Sequence, residues 1–232
     1  MLHKASVADV FVIMDDVQYL RREFQNRNRI KVGDERWTWL TVPVDLRSSP
    51  SSRICDVLIK QPEPGARAWN LNHWTALKTS YANAPYFTRY REFFEWLWLD
   101  QHWERLADLN IAILRQALSW FGITTELVLA TGRHFTGRGS DLVMDQAVRL
   151  DADLLFAGQL GVNYLDVPAF TAAGVEIVFQ DYQHNPYPQR FGKFMSHLSF
   201  VDLLFNCGPD AAEIALANNT TREDLCRLRS TR

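Results

Sequence analysis

Between residues 125 and 179 short apolar runs alternate with amphipathic stretches, and this alternation constrains the fold more than any other feature of the chain. Residues 125–130, 153–157 and 175–179 read as strands by length, apolar content and branched side chains. Between them, residues 140–150 read as a helix capped by Ser140, and residues 164–173 as a second helix stopped by Gly174. Strand–helix–strand–helix–strand order calls for parallel pairing through right-handed crossovers. The expected class is therefore α/β, with a Rossmann-like, mainly parallel sheet. Such sheets bind ligands at the carboxyl ends of their strands.

Near the start, residues 9–17 form another apolar strand that runs into Asp15, Asp16 and Gln18. A loop, Gln25-Asn26-Arg27-Asn28-Arg29, is expected next, followed by strands at residues 37–44 and 55–59. From about residue 66 to 121 the pattern is helical, and Phe87, Tyr90, Phe93, Phe94, Leu97 and Trp98 form a stripe at 3, 4 and 7 spacing. Nothing polar interrupts that stripe, so helix packing explains it better than a cofactor box. The expected organisation is an N-terminal α/β part (1–65), a helical insertion (66–122), a C-terminal Rossmann-like half (123–206) and a tail (207–232).

Net charge is −2 with 22% charged residues, which argues against a duplex nucleic-acid partner, since such a protein carries a strongly basic face. No apolar run approaches the roughly 18 residues of a membrane span, and the N-terminus lacks the pattern of a signal peptide. Three scattered cysteines, with no C-x-x-C, fit reduced thiols in the cytoplasm.

The expected strand ends carry the polar residues, and they are expected to share one rim. Asp15 and Asp16 suit Mg²⁺, a base, or a substrate hydroxyl or amine; equally, one caps a turn while the other pairs with Arg27 or Arg29. Asn26, Arg27, Asn28 and Arg29 offer planar donors for a phosphate or carboxylate. Residues 132–140 resemble a phosphate loop only faintly, because Arg138 stands for the lysine and Gly139 intervenes before Ser140. Gly158 and Gly161 allow close approach of a ligand to backbone, and Asn163, Tyr164 and Asp166 could orient a sugar. Gln180 to Gln189 is polar and aromatic in the manner of a carbohydrate or base contact. His184 and His197 are acid–base candidates, although an isolated histidine is more often structural.

Several stretches together resemble the WbqC-like family, bacterial proteins often encoded with surface-polysaccharide genes. They are residues 9–19 (DVFVIMDDVQY), 26–30 (NRNRI), 39–44 (WLTVPV), 81–87 (YANAPYF), 164–166 (YLD) and 198–208 (LSFVDLLFNCG). The family's opening Gln-Pro-x-Tyr-x-Pro-Trp-like segment is absent here, so the resemblance implies a chain without the family's first strand. That segment is similar to the first strand and loop of HIGH-motif nucleotidylyltransferases.

With the strand-end polarity, this resemblance implies a transferase that modifies a nucleotide-activated or glycan sugar, by acyl or aminoacyl transfer to an amino sugar. Asp15, Asp16 and His197 would be catalytic. Gln18, Asn26, Arg27, Asn28, Arg29, Asn163, Tyr164, Asp166, Gln180 and Gln189 would contact a nucleotide, nucleotide sugar or amino sugar. The alternatives are a Mg²⁺-dependent nucleotidylyltransferase and a non-catalytic binding protein.

Overall fold

A computed structural model describes residues 1–230, and it is a mixed α/β protein. In chain order the elements begin with helix α1 (Leu2–Val7) and strands β1 (Val10–Ile13), β2 (Arg27–Gly33), β3 (Arg36–Thr41), β4 (Val44–Asp45) and β5 (Leu58–Ile59). Helices α2 (Trp69–Tyr81), α3 (Phe87–Glu95) and α4 (Leu106–Trp120) follow, with a π-helical turn at Trp96–Asp100. Then come β6 (Glu126–Leu129), α5 (Ser140–Arg149), β7 (Leu154–Ala157), α6 (Val167–Ala172) and β8 (Glu176–Phe179). Helices α7 (Phe200–Cys207), α8 (Ala211–Leu216) and α9 (Arg222–Ser230) complete the order.

The chain forms two compact units. The first comprises residues 1–14, 123–183 and the segment from Leu216 onward; the second comprises residues 15–122 and 184–215.

In the first unit β1 pairs with β6 and β7 with β8, both parallel but as two separate two-stranded sheets rather than the single sheet expected; the parallel sense of β7–β8 matches the strand–helix–strand order. Ala147, Ala157, Leu165, Phe170 and Val175 form a buried cluster against this second pair. Boundaries differ from expectation at two places. Residues 159–163 wind as a 3-10 turn, and α6 starts only at Val167, because the Asp166 carboxylate accepts from the Ala169 N–H and so sets the cap there. Gly139, not Ser140, precedes α5; the Ser140 hydroxyl instead accepts from the Asp166 N–H at 2.9 Å.

The second unit contains the main departure from a mainly parallel sheet. Residues 27–33 are strand β2, although Arg27 to Arg29 were expected within a loop, and they pair antiparallel with β3 through a two-residue turn at Asp34–Glu35. Hydrogen bonds between the strands satisfy the backbone here, and alternation of Arg27, Arg29 and Lys31 with Asn28 and Ile30 gives each face its own character. β4 and β5 pair antiparallel as well.

The aromatic stripe of α3 packs as helix contact. Phe87 and Phe94 lie 5.1 and 5.2 Å from the ring of Phe205, and Tyr90 lies 5.1 Å from Trp120. Gly208 ends α7 with φ +58°, and a Cβ there would fall 2.4 Å from the Tyr86 ring, so only glycine fits.

Beneath the hairpin lies a buried polar network. Asp202, wholly buried, accepts from the hydroxyls of Tyr81 at 2.7 Å and Tyr187 at 2.9 Å, and Asn206 donates to its backbone carbonyl. The Tyr81 oxygen in turn accepts from the Lys31 N–H at 3.1 Å. Lys31, also fully buried, donates from Nζ to Gln189 Oε1 at 3.1 Å and to the Lys193 carbonyl. Burial pushes the Asp202 carboxyl up, against the two tyrosine hydroxyls that hold it down. Asp202→Ala is expected to destabilise the protein by about 3–5 kcal/mol, since two buried tyrosine hydroxyls lose their acceptor at about 1–3 kcal/mol each. Tyr187→Phe should cost only about 1–2 kcal/mol. Urea unfolding checks the order, and equal losses in the two variants would refute it.

His73 supplies a pH-dependent term. It is buried between Trp69 and Trp98, its Nε2 donates to the Thr41 carbonyl at 3.1 Å, and burial pushes its pKa from 6.5 to about 4. The unfolded chain therefore binds this proton at a higher pH than the folded one, so stability falls as pH drops from 6.5 to about 4. The contribution is about 3 kcal/mol. His73→Gln should flatten the urea midpoint across that window, whereas an unchanged fall would assign it to other groups.

Candidate functional site

One face of the β2–β3 hairpin gathers cationic and aromatic side chains through register alone. Trp39 lies directly opposite Arg29 and diagonal to Arg27; Trp37 is opposite Lys31 and diagonal to Arg29. The Arg27 guanidinium stacks 4.3 Å from the centroid of Trp39, and that of Arg29 lies 5.2 Å from Trp37 and 5.7 Å from Trp39. The two indoles meet edge to face at 5.4 Å, and Phe24 adds a third ring 5.5 Å from Trp39. Trp37 is 43% and Phe24 59% exposed, so this cluster is open to solvent. Ile30 on the other face is fully buried, and so is Lys31, next along from Arg29 on this one.

Arg29 is further oriented by a segment far along the chain. Its Nη2 donates to the His197 carbonyl at 2.8 Å, and its own carbonyl accepts from the Ser199 N–H at 2.8 Å. Arg27 donates to the Arg22 carbonyl. The Nε atoms of both arginines are buried and have no hydrogen-bond partner among the described residues. Two oriented guanidiniums with unused donors suit an oxyanion, and the exposed indole suits a flat or apolar group beside it.

His197 stands at φ +59°, an unusual conformation for a side-chain-bearing residue. Its Nδ1 lies 2.7 Å from the Ser196 hydroxyl, and its ring lies 4.0 Å from that of His184. Burial, then the charge of His197, holds the His184 pKa below its usual value.

Asp15 and Asp16 follow β1 but belong to the second unit, where residues 15–19 run beside residues 52–55. The Cys55 N–H donates to the Asp15 carbonyl at 2.7 Å, and Gln18 bridges Arg53. Asp15 is buried, and Asp16 keeps a buried Oδ1 without a hydrogen-bond partner among the described residues. Among the described residues no group of three or more His, Cys, Asp or Glu could hold a metal ion. Mg²⁺ fits Asp16 only in the manner of ions held by one or two carboxylates and completed by substrate oxygens.

Other expected site residues have internal partners. Asn26 is buried and donates to the Val42 carbonyl; Asn28, exposed, accepts from the Arg29 N–H. Gln189 accepts from Lys31 and the Met195 N–H and donates to the Met195 carbonyl. In the first unit Gln180 contacts His3 Nδ1, while Asn163, Tyr164 and Asp166 are exposed. Trp37, Trp39, Phe24 and Ser196 were not singled out as site residues. The period-two match of Arg27-x-Arg29 with Trp37-x-Trp39 is the signal that could have found the indoles.

The WbqC-like protein family matches residues 2–214, and the chain belongs to it. An uncharacterized protein of Mycobacterium tuberculosis, Rv1507c, is 29% identical over 206 residues, covering 88% of this chain and 87% of that protein. No solved structure matches the chain. No helix among the described residues is long and apolar enough to cross a membrane.

Each cation–π contact at such a site is worth about 0.5–1 kcal/mol. Trp39→Leu, which removes the ring under both arginines, should therefore lower stability by about 2 kcal/mol or more, while Trp37→Leu should cost under about 1 kcal/mol. Denaturant midpoints distinguish these values, and a Trp37 loss matching that of Trp39 would contradict the geometry described.

Proposed function

We propose that the protein is a transferase acting on a nucleotide-activated or glycan sugar in bacterial surface-polysaccharide synthesis, by acyl or aminoacyl transfer to an amino sugar. The observation that carries this reading is the Arg27/Arg29 pair on the Trp37–Trp39 face, with two buried Nε donors unused. A sugar nucleotide combines a diphosphate for the guanidiniums with a base for the exposed face of Trp37. Asp16 Oδ1 then accepts from the amino group or holds Mg²⁺ against substrate oxygens. The amine attacks the acyl carbonyl, the leaving group departs with its electron pair, and His197 takes the proton the amine sheds.

Asn163, Tyr164 and Asp166 are read separately, as sugar contacts of the first unit in their own right, supported by their exposure after β7. β1, β6, β7 and β8, parallel in two pairs within one unit, are read as parts of a Rossmann-like layer. The protein works in the cytoplasm, where activated sugars are made.

A thermal-shift titration with nucleoside-diphosphate sugars tests the assignment, because a ligand that binds the folded state raises its melting temperature. Arg29→Leu should weaken binding about tenfold or more, the equivalent of one charge-assisted hydrogen bond of about 1.5–3 kcal/mol. Asp16→Ala should abolish turnover. Normal binding and turnover in both variants would rule the reading out. Pyrophosphate release from ATP or CTP with Mg²⁺ would instead identify a nucleotidylyltransferase, and binding without turnover a ligand-binding protein.

A further inference from the structure

The first unit contains a lysine whose environment calls for an anion. Lys4, on α1, is partly buried, and no hydrogen bond or ion pair holds its side chain among the described residues. Its neighbour His3 is fully engaged, with Nε2 at the Thr220 carbonyl and Nδ1 at the Gln180 amide, and burial lowers the pKa of its ring. Burial likewise lowers the pKa of Lys4. A cation withdrawn from water without a counter-charge is costly, and lysine responds by shedding its proton unless an anion arrives.

The surroundings of Nζ supply a second, independent observation. Gly158 directly follows β7, at the carboxyl end of the parallel β7–β8 pair. Its φ is −68° and its ψ 157°, an extended conformation that any residue adopts, so the backbone does not require glycine. A Cβ there would have one heavy atom within 4 Å, the Lys4 Nζ at 3.5 Å. The missing side chain therefore leaves room directly before the amine, at the strand end where parallel sheets bind ligands.

We propose that Lys4 Nζ and the opening left by Gly158 form an oxyanion site in the first unit, taking the phosphate or carboxylate of a small molecule. It goes beyond the nucleotide reading of the Arg27/Arg29 hairpin and does not depend on it.

Competitive acetylation of the full chain across alkaline pH, read lysine by lysine by mass spectrometry, tests the site with inorganic phosphate, pyrophosphate and malonate as probes. Without a probe, Lys4 should titrate below the ordinary lysine value. A phosphoryl or carboxylate probe that binds should raise its pKa and protect it, with about tenfold less labelling for each unit of rise. Protection by pyrophosphate but not malonate marks a phosphate site, and the reverse marks a carboxylate site. Gly158→Val, which keeps the amine and fills the opening, should abolish protection, whereas Arg29→Leu should leave it unchanged. The proposal is overturned if none of the three probes protects Lys4, if protection survives Gly158→Val, or if it disappears with Arg29→Leu. In that last case the effect belongs to the hairpin.

Discussion

The buried carboxylate of Asp202 is the interaction on which the second unit turns. Burial penalises a charge at such a position and pushes the carboxyl's pKa up, and two donating tyrosine hydroxyls and the nearby Lys31 ammonium offset part of that penalty. The consequence reaches the surface. Tyr81 bonds the backbone of β2 at Lys31, and Lys31 holds Gln189, which in turn fastens the backbone at Met195. β2 is thereby clamped from below, and the segment that carries Ser196 and His197 is drawn to its edge.

A clamped hairpin explains how two arginines can be presented with little freedom. Stacking on Trp39 and a bond to the His197 carbonyl remove much of the rotamer entropy that a surface arginine ordinarily loses when it binds. Preorganised guanidiniums with unused Nε donors are suited to a multiply charged ligand. Register makes the arrangement obligatory, since a one-residue slip of β2 would move Arg27 and Arg29 off the face that carries Trp37 and Trp39.

Much of this was legible before any coordinates. The parallel sense of β7–β8 follows from the order of apolar and amphipathic segments, and the α3 stripe packs as its spacing predicts, but the single sheet expected is two separate pairs, β1–β6 and β7–β8. The hairpin was not legible in the same way. Asn-Arg-Asn-Arg reads as a loop because asparagine favours turns, yet cross-strand bonding to Trp37–Thr41 outweighs that local preference. Of the residues expected to share one rim, Asp16 and Arg29 lie in one unit and Asn163 and Gln180 in the other, a division that no local pattern announces.

The sequence by itself determined the periodicities, the mixed α/β class and family membership, because these depend on residue types at short spacing. Tertiary structure alone decided which polar residues would be consumed internally. Asn26 and Gln189 are committed to the chain's own backbone, while Arg27, Arg29 and Asp16 retain unused polar atoms. The difference lies in partners far away in the chain, such as Asp202 for Tyr81 and His197 for Arg29, whose meeting depends on folding rather than on neighbouring residues.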